Sequence, residues 1–360
     1  MFESLGFEST TPQQAAVILG LLVGLAFGAL AEVTRFCIRR GIAGPAGERR
    51  PALGVWLAAL AFAVIGTQAA VAAGLISFEE HRFMAPDLPW LAISLGGLAF
   101  GAGMVLTRGC VSRLTVLSGT GNLRAVFVLL VFAIVAHATL KGVLAPVRVG
   151  LGSVTAPLGD SVSLANLPGG APLWAGLIAF SALAYAWRSG ANRGTLALAA
   201  LVGLLVPLAW VGTGYVLFDE FDPIAMESLS FTSPSAETLF WGIASSAIPA
   251  GFGVGLIGGV VVGALVLSLL GGRFKWQSFS SPRETGRYVT GGALMGFGGV
   301  LAGGCTVGAG LSGIPSLSVA ALLALAAIVV GGLLTNRVLS GRQTSGSDAP
   351  AAIQPTQPAE

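Results

Sequence analysis

The chain has 360 residues, a mean hydropathy of +0.84 and only 10% Asp, Glu, Lys and Arg, where a soluble domain carries about 25% charged residues. A water-covered globular fold is therefore excluded, and the long apolar runs exclude disorder. A net charge of +3 dispersed over loops excludes a nucleic-acid surface, and three cysteines with no CxxC make neither a disulfide framework nor a zinc finger.

Glu3 and Glu8 precede the first apolar stretch, where a signal peptide would carry basic residues, so 13–33 reads as a mature helix. Further hydrophobic helices are expected at 53–76, 89–106, 123–141, 171–187, 195–218, 251–270, 287–302 and 316–335. Each is close to the length a spanning helix needs, and the alternating segments of a β-barrel are missing. The fold class is an all-α integral membrane protein of about nine hydrophobic helices, with internal repeats and short broken helices around a central pore. We expect one polytopic domain over 1–339, its halves 13–150 and 240–339 joined by helices 171–218. The polar, Pro-rich tail 340–360 is expected to be disordered and cytoplasmic.

With nine spans, one set of loops holds 16 of the 19 basic residues, and the other holds only Arg82, Lys141 and Arg148. That second set collects Glu79, Glu80, Asp87, Asp219, Glu220, Asp222 and Glu227. The basic side is expected to be cytoplasmic, with the N-terminus outside and the C-terminus inside.

Gly24–Cys37 (GLAFGALAEVTRFC) and Gly97–Cys110 (GLAFGAGMVLTRGC) are identical at nine of fourteen positions. A third copy, Gly292–Cys305, again ends on cysteine, and a weaker one, Gly259–Gly272, ends on glycine. Every copy carries GxxxG at the same place, a pattern that ordinarily serves close helix packing. A single buried cysteine is ordinarily a small core residue. Here all three fall at one repeat position, which scattered packing cysteines would not do. The Gly-, Ser- and Thr-rich residues after Cys110 and Cys305 imply unwound backbone, tolerated at membrane depth only inside protein or beside a watery cavity. Interrupted helices repeated along a chain point to a transporter binding site. The second and third cysteine-bearing helices run in opposite directions in this topology.

TRGCVSRLTVLSGTGNLRA at 107–125 and GGCTVGAGLSG at 303–313 resemble motifs of the YeeE/YedE family of sulfur-compound transporters. The resemblance runs from about Gln14 to Leu339. It implies a multi-pass inner-membrane permease for thiosulfate or a related sulfur oxyanion, or alternatively for another sulfur or selenium species, with no enzymatic activity and no cofactor or bound metal. The implied pathway is lined by Cys37, Cys110 and Cys305, with Gly109, Gly304, Thr306 and Arg108 beside them. It also implies a cytoplasmic TusA-like sulfurtransferase as partner. This chain departs from the family pattern at Arg108, Val111 and Val307.

Thiosulfate is a dianion, and a bare charge in hydrocarbon costs several kcal/mol. Exposed backbone N–H groups and helix N-termini offer donors without full charges. Neutral thiols add weak donors that allow release. Arg108 can draw the anion in, or serve as an ordinary basic-side anchor, as can Arg35. Glu32 is expected to pair with Arg35 three residues on. Cys37 is expected at a cytoplasmic mouth, His137 to hydrogen-bond a neighbouring helix, and His81 to be a solvated loop residue. Two other classes stay open: a sulfurtransferase forming a persulfide on Cys110, for which no base stands near in sequence, and a thiolate carrier of soft metal, for which Met and His are scarce.

Overall fold

The computed structural model describes residues 11–344. Its helices, in chain order, are α1 Pro12–Thr34, α2 Ile38–Ala43, α3 Ala46–Ala72, α4 Trp90–Leu106, α5 Val111–Gly119, α6 Leu123–Lys141, α7 Ala145–Gly152, α8 Gly170–Arg188, α9 Arg193–Val211, α10 Thr232–Ala244, α11 Phe252–Leu270, α12 Pro282–Leu301 and α13 Val319–Thr344. Among the described residues nine segments are long and apolar enough to cross a bilayer, and they overlap the nine expected helices. Three of the nine contain a break: Pro12–Ala43 (α1 and α2), Trp90–Gly119 (α4 and α5) and Pro282–Ser316 (α12 and an irregular turn). Large apolar side chains such as Leu22, Ile134, Phe180 and Leu270 stay exposed, as lipid contact requires. The protein is an all-α, multi-pass membrane protein.

Local chemistry sets the helix starts. Thr11 and Gln14 close a reciprocal capping box on α1, with both bonds at 3.2 Å. Ser281 caps α12 through the Glu284 N–H, with Pro282 in the first turn. Four helices were not expected. The short α2 and α5 resume after Cys37 and Cys110, and α5 corrects the expectation of unwound backbone there. Val111, Leu114, Thr115 and Val116 are buried along it and the Thr115 hydroxyl donates back to Val111 O at 3.0 Å, so of the two stretches only the one after Cys305 departs from the α-helix. Neither α7 nor α10 is a span; α10 carries Pro234 in its first turn, where proline is tolerated, and its Ser235 and Thr238 hydroxyls donate back to carbonyls at 2.7 Å. The tail also starts later than expected. α13 continues through Thr344, because extending an established helix costs little; residues 345–360 lie outside the described residues.

The repeated glycines are where backbones meet. A Cβ on Gly20, Gly24 or Gly28 would strike the carbonyls of Phe252, Leu256 and Val260, and one on Gly255, Gly259 or Gly263 those of Val17, Leu21 and Leu25. Both series climb together, so α1 and α11 pack in parallel. Gly97 and Gly101 likewise follow Ala324, Ile328 and Gly332, setting α4 parallel to α13. Gly96 meets Ala302 while Gly103 meets Gly291, so α4 and α12 are antiparallel. The second and third repeats therefore oppose each other as expected. The GxxxG pairs serve packing, driven by van der Waals contact between close backbones.

The loops sort onto two faces. On the arginine-rich face Arg40 pairs with Glu48 at 2.7 Å and Arg124 with Glu284 at 2.9 Å. There the loop before α6 and the loop before α12 are joined by Leu123 N–H to Gln277 O at 2.8 Å. On the acidic face β1 (Asp87–Leu88) pairs antiparallel with β2 (Ala156–Pro157), and the Ser318 hydroxyl donates to Phe83 O at 2.7 Å.

Candidate functional site

Each of the three broken spans turns in the same way before its cysteine. Thr34 and Thr107 donate back to Leu30 O and Gly103 O at 2.7 and 2.9 Å. The following Arg35 (φ 51°) and Arg108 (φ 58°) take the left-handed conformation, and Gly303 (φ 73°) does so in the third span. The next N–H closes a loop over the helix end, Phe36 to Ala31 O and Gly109 to Met104 O, both at 3.1 Å. The cysteine is then extended and stands as N-cap of a new helical segment: Cys37 before α2, Cys110 before α5, and Cys305 before the π-helical turn Thr306–Gly313. Thr-Arg-x-Cys in the first two spans and Ala-Gly-x-Cys in the third thus encode one structural event, a helix end, a reversal and a helix start. It places each thiol beside unpaired N–H groups at a positive helix end.

All three thiols are buried, Cys37 at 4%, Cys110 at 1% and Cys305 at 0% exposure. Cys37 and Cys110 are neighbours in space, and Cys110 Sγ is 3.2 Å from Ser112 Oγ. Cys37, expected at a mouth, is buried, as are its chain neighbours Phe36 and Ile38. Cys305 stands elsewhere. Its sulfur accepts the Gly308 N–H at 3.3 Å, with Phe231 and Thr232 alongside. Between the two thiol positions, Phe27 contacts Phe36 (centroids 6.1 Å) and Phe231 (5.3 Å). Among the described residues the cysteines do not gather into a group able to hold a metal ion.

Sequence reasoning missed Arg113. It is one turn into α5, and its Nη1 donates to Ala31 O at 3.2 Å and lies 3.5 Å from Glu32 Oε2. Glu32 also meets Arg273 at 3.3 Å. This corrects the expected Glu32–Arg35 pair: the left-handed turn leaves Arg35 exposed, while Glu32 is buried toward α5 and α11. The signal available was the Cys110-x-x-Arg113 spacing, which puts the guanidinium on the thiol's side of α5.

Two cavities lie near these turns, and among the described residues no cysteine lines either. The one on the arginine-rich face, about 1010 Å³, is lined by Arg39, Arg108, Arg124, Arg283 and Arg287. The one on the acidic face, about 900 Å³, is lined by Arg82, Glu227 and Glu237, and reaches Ser230, Gly308 and Ser312 of the Cys305 region. Of the other expected site residues, Gly109 has room for a Cβ, while one on Gly304 would sit 2.8 Å from the Ala309 nitrogen. Thr306 is buried at the first position of the turn.

Both histidines differ from expectation. His81 is no solvated loop residue: it packs between Trp210 (5.2 Å) and Phe83 (4.8 Å), and its Nδ1 accepts the Phe83 N–H. Burial, then Arg82, lowers its pKa to about 4, so it is neutral at ordinary pH. His137 stacks on Phe240 of α10 at 4.4 Å and 16°; an aromatic face, rather than a hydrogen bond, meets it from the neighbouring helix.

A membrane bundle with glycine-packed broken spans, each resuming at a buried cysteine, defines a transport fold of the interrupted-helix type. The sequence profile for sulphur transport matches residues 33–334, and the chain belongs to that family. It is 26% identical over 330 residues to the thiosulfate transporter TsuA of Escherichia coli K12, covering 82% of this chain and 86% of the relative. It is 28% identical over 251 residues to TsuA of Spirochaeta thermophila, covering 64% and 72%.

Proposed function

We propose that the protein takes up thiosulfate or a closely related sulfur oxyanion across the plasma membrane, along a path from the acidic-face cavity past Cys305, then Cys110 and Cys37, to the arginine-lined cavity. The observation that carries this is the placement of all three thiols as buried N-caps of interrupted spans, with one cavity reaching the Gly308–Ser312 turn after Cys305 and the other lined by Arg39 and Arg108, each two residues from Cys37 or Cys110. Each cap presents a soft, weak donor and free N–H groups to an anion without a full charge that would trap it. Gly109, Gly304 and Thr306 shape the turns, and Arg108 draws the anion at the basic side. That side is the cytoplasmic one by its Arg and Lys excess, which sets the N-terminus outside and the C-terminus inside. The described residues act as one transporter domain, because α1 of the first half packs along α11 of the second. The arginine-lined cavity suits an acidic or anion-loaded acceptor such as a TusA-like sulfurtransferase. Transport rather than sulfur transfer is the activity, with the thiols as ligands and not nucleophiles.

The test is radiolabelled thiosulfate uptake by cells without another route for it, carrying the intact chain or Cys110→Ala. Uptake with the intact chain and none with the variant, at equal membrane abundance, is the expected result. Equal uptake by both would end the thiol path. Formation of a stable persulfide in place of uptake would favour the sulfurtransferase.

A further inference from the structure

The acidic-face cavity holds more than a path for an anion needs. Arg82 comes from the turn after α3, Glu227 from the loop before α10, and Glu237 from α10 itself; all three line the same space above the Gly308–Ser312 turn. Among the described residues no carboxylate lies within the 4.0 Å ion-pair distance of Arg82. The guanidinium faces the cavity, accessible to water through it and held over the Phe83 ring at 5.2 Å. Glu227 is fixed by its backbone, whose N–H donates to Thr213 Oγ1 at 2.9 Å and whose carbonyl accepts from that hydroxyl at 2.8 Å.

The remaining titratable groups around this space are few. Glu80 and neutral His81 line it from the loop after α3, and Lys141 acts on Glu237 from the end of α6. Trp210 and Thr213 from the α9 end, and the Gly308–Ser312 turn, bring no charge. Asp219, Glu220 and Asp222 share the Glu227 loop but do not line the cavity. With every lining carboxyl ionised, acids outnumber cations, and a dianion meets a repelling field in a confined space. Burial first, and Glu237 second, lift Glu227 to a pKa of about 7 against the pull of Arg82. Burial also raises Glu237, against Lys141 and Arg82.

We propose that Glu227 and Glu237 form a proton-operated selector for anion admission: protonated, they leave Arg82 free to receive the dianion, and ionised, they claim its field and hold the dianion out. The inference rests on the reading of this cavity as the anion's approach. Because Glu227 is mostly protonated below neutrality and mostly ionised above it, binding strengthens as pH falls and is lost as pH rises through about 7. A dianion bound near neutrality brings, on average, roughly half a proton with it.

The experiment is calorimetric titration of the purified full-length protein with thiosulfate at about pH 6 and about pH 8, in two buffers of different ionisation enthalpy. Affinity is expected to fall about tenfold between the two, and binding near pH 7 to take up roughly half a proton. Glu227→Gln with Glu237→Gln should bind equally at both pH values, and Arg82→Gln weakly at both. A double variant that keeps the wild-type pH slope, wild-type binding without proton uptake, or no wild-type binding at all would overturn the selector. Vesicle uptake measured in parallel separates this from the transport reading. Proton-linked binding without uptake retires transport and keeps the selector; uptake with pH-independent binding does the reverse.

Discussion

The turns at Cys110 and at Cys305 follow one pattern and end in different surroundings. Cys110 leads into an ordinary α-helix, has a second thiol, Cys37, as its neighbour, and has the Arg113–Glu32–Arg273 cluster behind it. Cys305 leads into a π-helical, glycine-rich turn, touches no second thiol, and lies below the acidic-face cavity with backbone N–H groups as its nearest donors. The repeat supplies the turn, and the residues after the cysteine decide what the turn is for. The first site is a charge-backed thiol pair; the second is a backbone cradle holding one thiol. On the path proposed above, an anion would pass from donors that cannot move to donors that can rotate.

The largest expected effects test that difference directly. Cys110→Ala should remove uptake, and Cys37→Ala should be nearly as severe, since either breaks the pair. Cys305→Ala should leave a measurable remainder, because the backbone donors stay. Cys37→Ala combined with Cys110→Ala should be no worse than either alone, whereas Cys110→Ser should recover part of the rate by restoring a donor of similar size. A metal carrier or a persulfide enzyme would recover nothing with Ser. A Cys37→Ala protein transporting at the wild-type rate would show that the pair is not a unit.

Next in size is the charge cluster. Arg113→Gln leaves buried Glu32 with Arg273 alone, and breaking a buried pair costs as much as about 3 kcal/mol. Thermal stability of the detergent-purified protein should drop accordingly, and Glu32→Gln added to Arg113→Gln should recover part of the loss. Nothing comparable backs Cys305, so Thr232→Val beside it should leave stability almost unchanged. A double variant no more stable than Arg113→Gln would mean that Arg113 matters only through its bond to Ala31 O.

Much of this was legible in the chain. Hydropathy gave the spans, and the shared Thr-Arg-x-Cys with its glycines gave the breaks, because both depend on local sequence. What stayed hidden depends on which helices meet. Glu32 had Arg35 at helical spacing, yet the left-handed turn ended the helix between them and α5 and α11 supplied its partners. His81 read as a loop residue because its loop is polar, while the Trp210 that buries it is far away in sequence. α10 lacked a spanning signal, since it caps the bundle rather than crossing it.

A smaller effect separates the two sites at the cradle. In Gly308→Ala the new Cβ would stand 2.8 Å from Ser230 Oγ, a side-chain atom that can rotate away. The fold should survive, and uptake should fall a few-fold as the Gly308 N–H shifts from Cys305. Adding Ser230→Ala should restore it. No recovery would place the loss in the backbone itself.

The smallest effect concerns the arginines at the turns. Arg35 and Arg108 hold left-handed backbone, which costs a non-glycine residue about 1 kcal/mol or more. Glycine removes that cost but enlarges the unfolded ensemble by a similar amount. Arg35→Gly and Arg108→Gly should therefore both be neutral to slightly stabilising, by less than about 1 kcal/mol. Their transport should differ. Arg108 lines the arginine-rich cavity and Arg35 does not. Uptake by Arg108→Gly should be modestly slower and less sensitive to ionic strength, since an exposed charge acts through a screened field. Arg35→Gly should keep the wild-type rate and salt dependence. Identical salt dependence in both variants would reduce Arg108, like Arg35, to a helix-ending residue on the basic face.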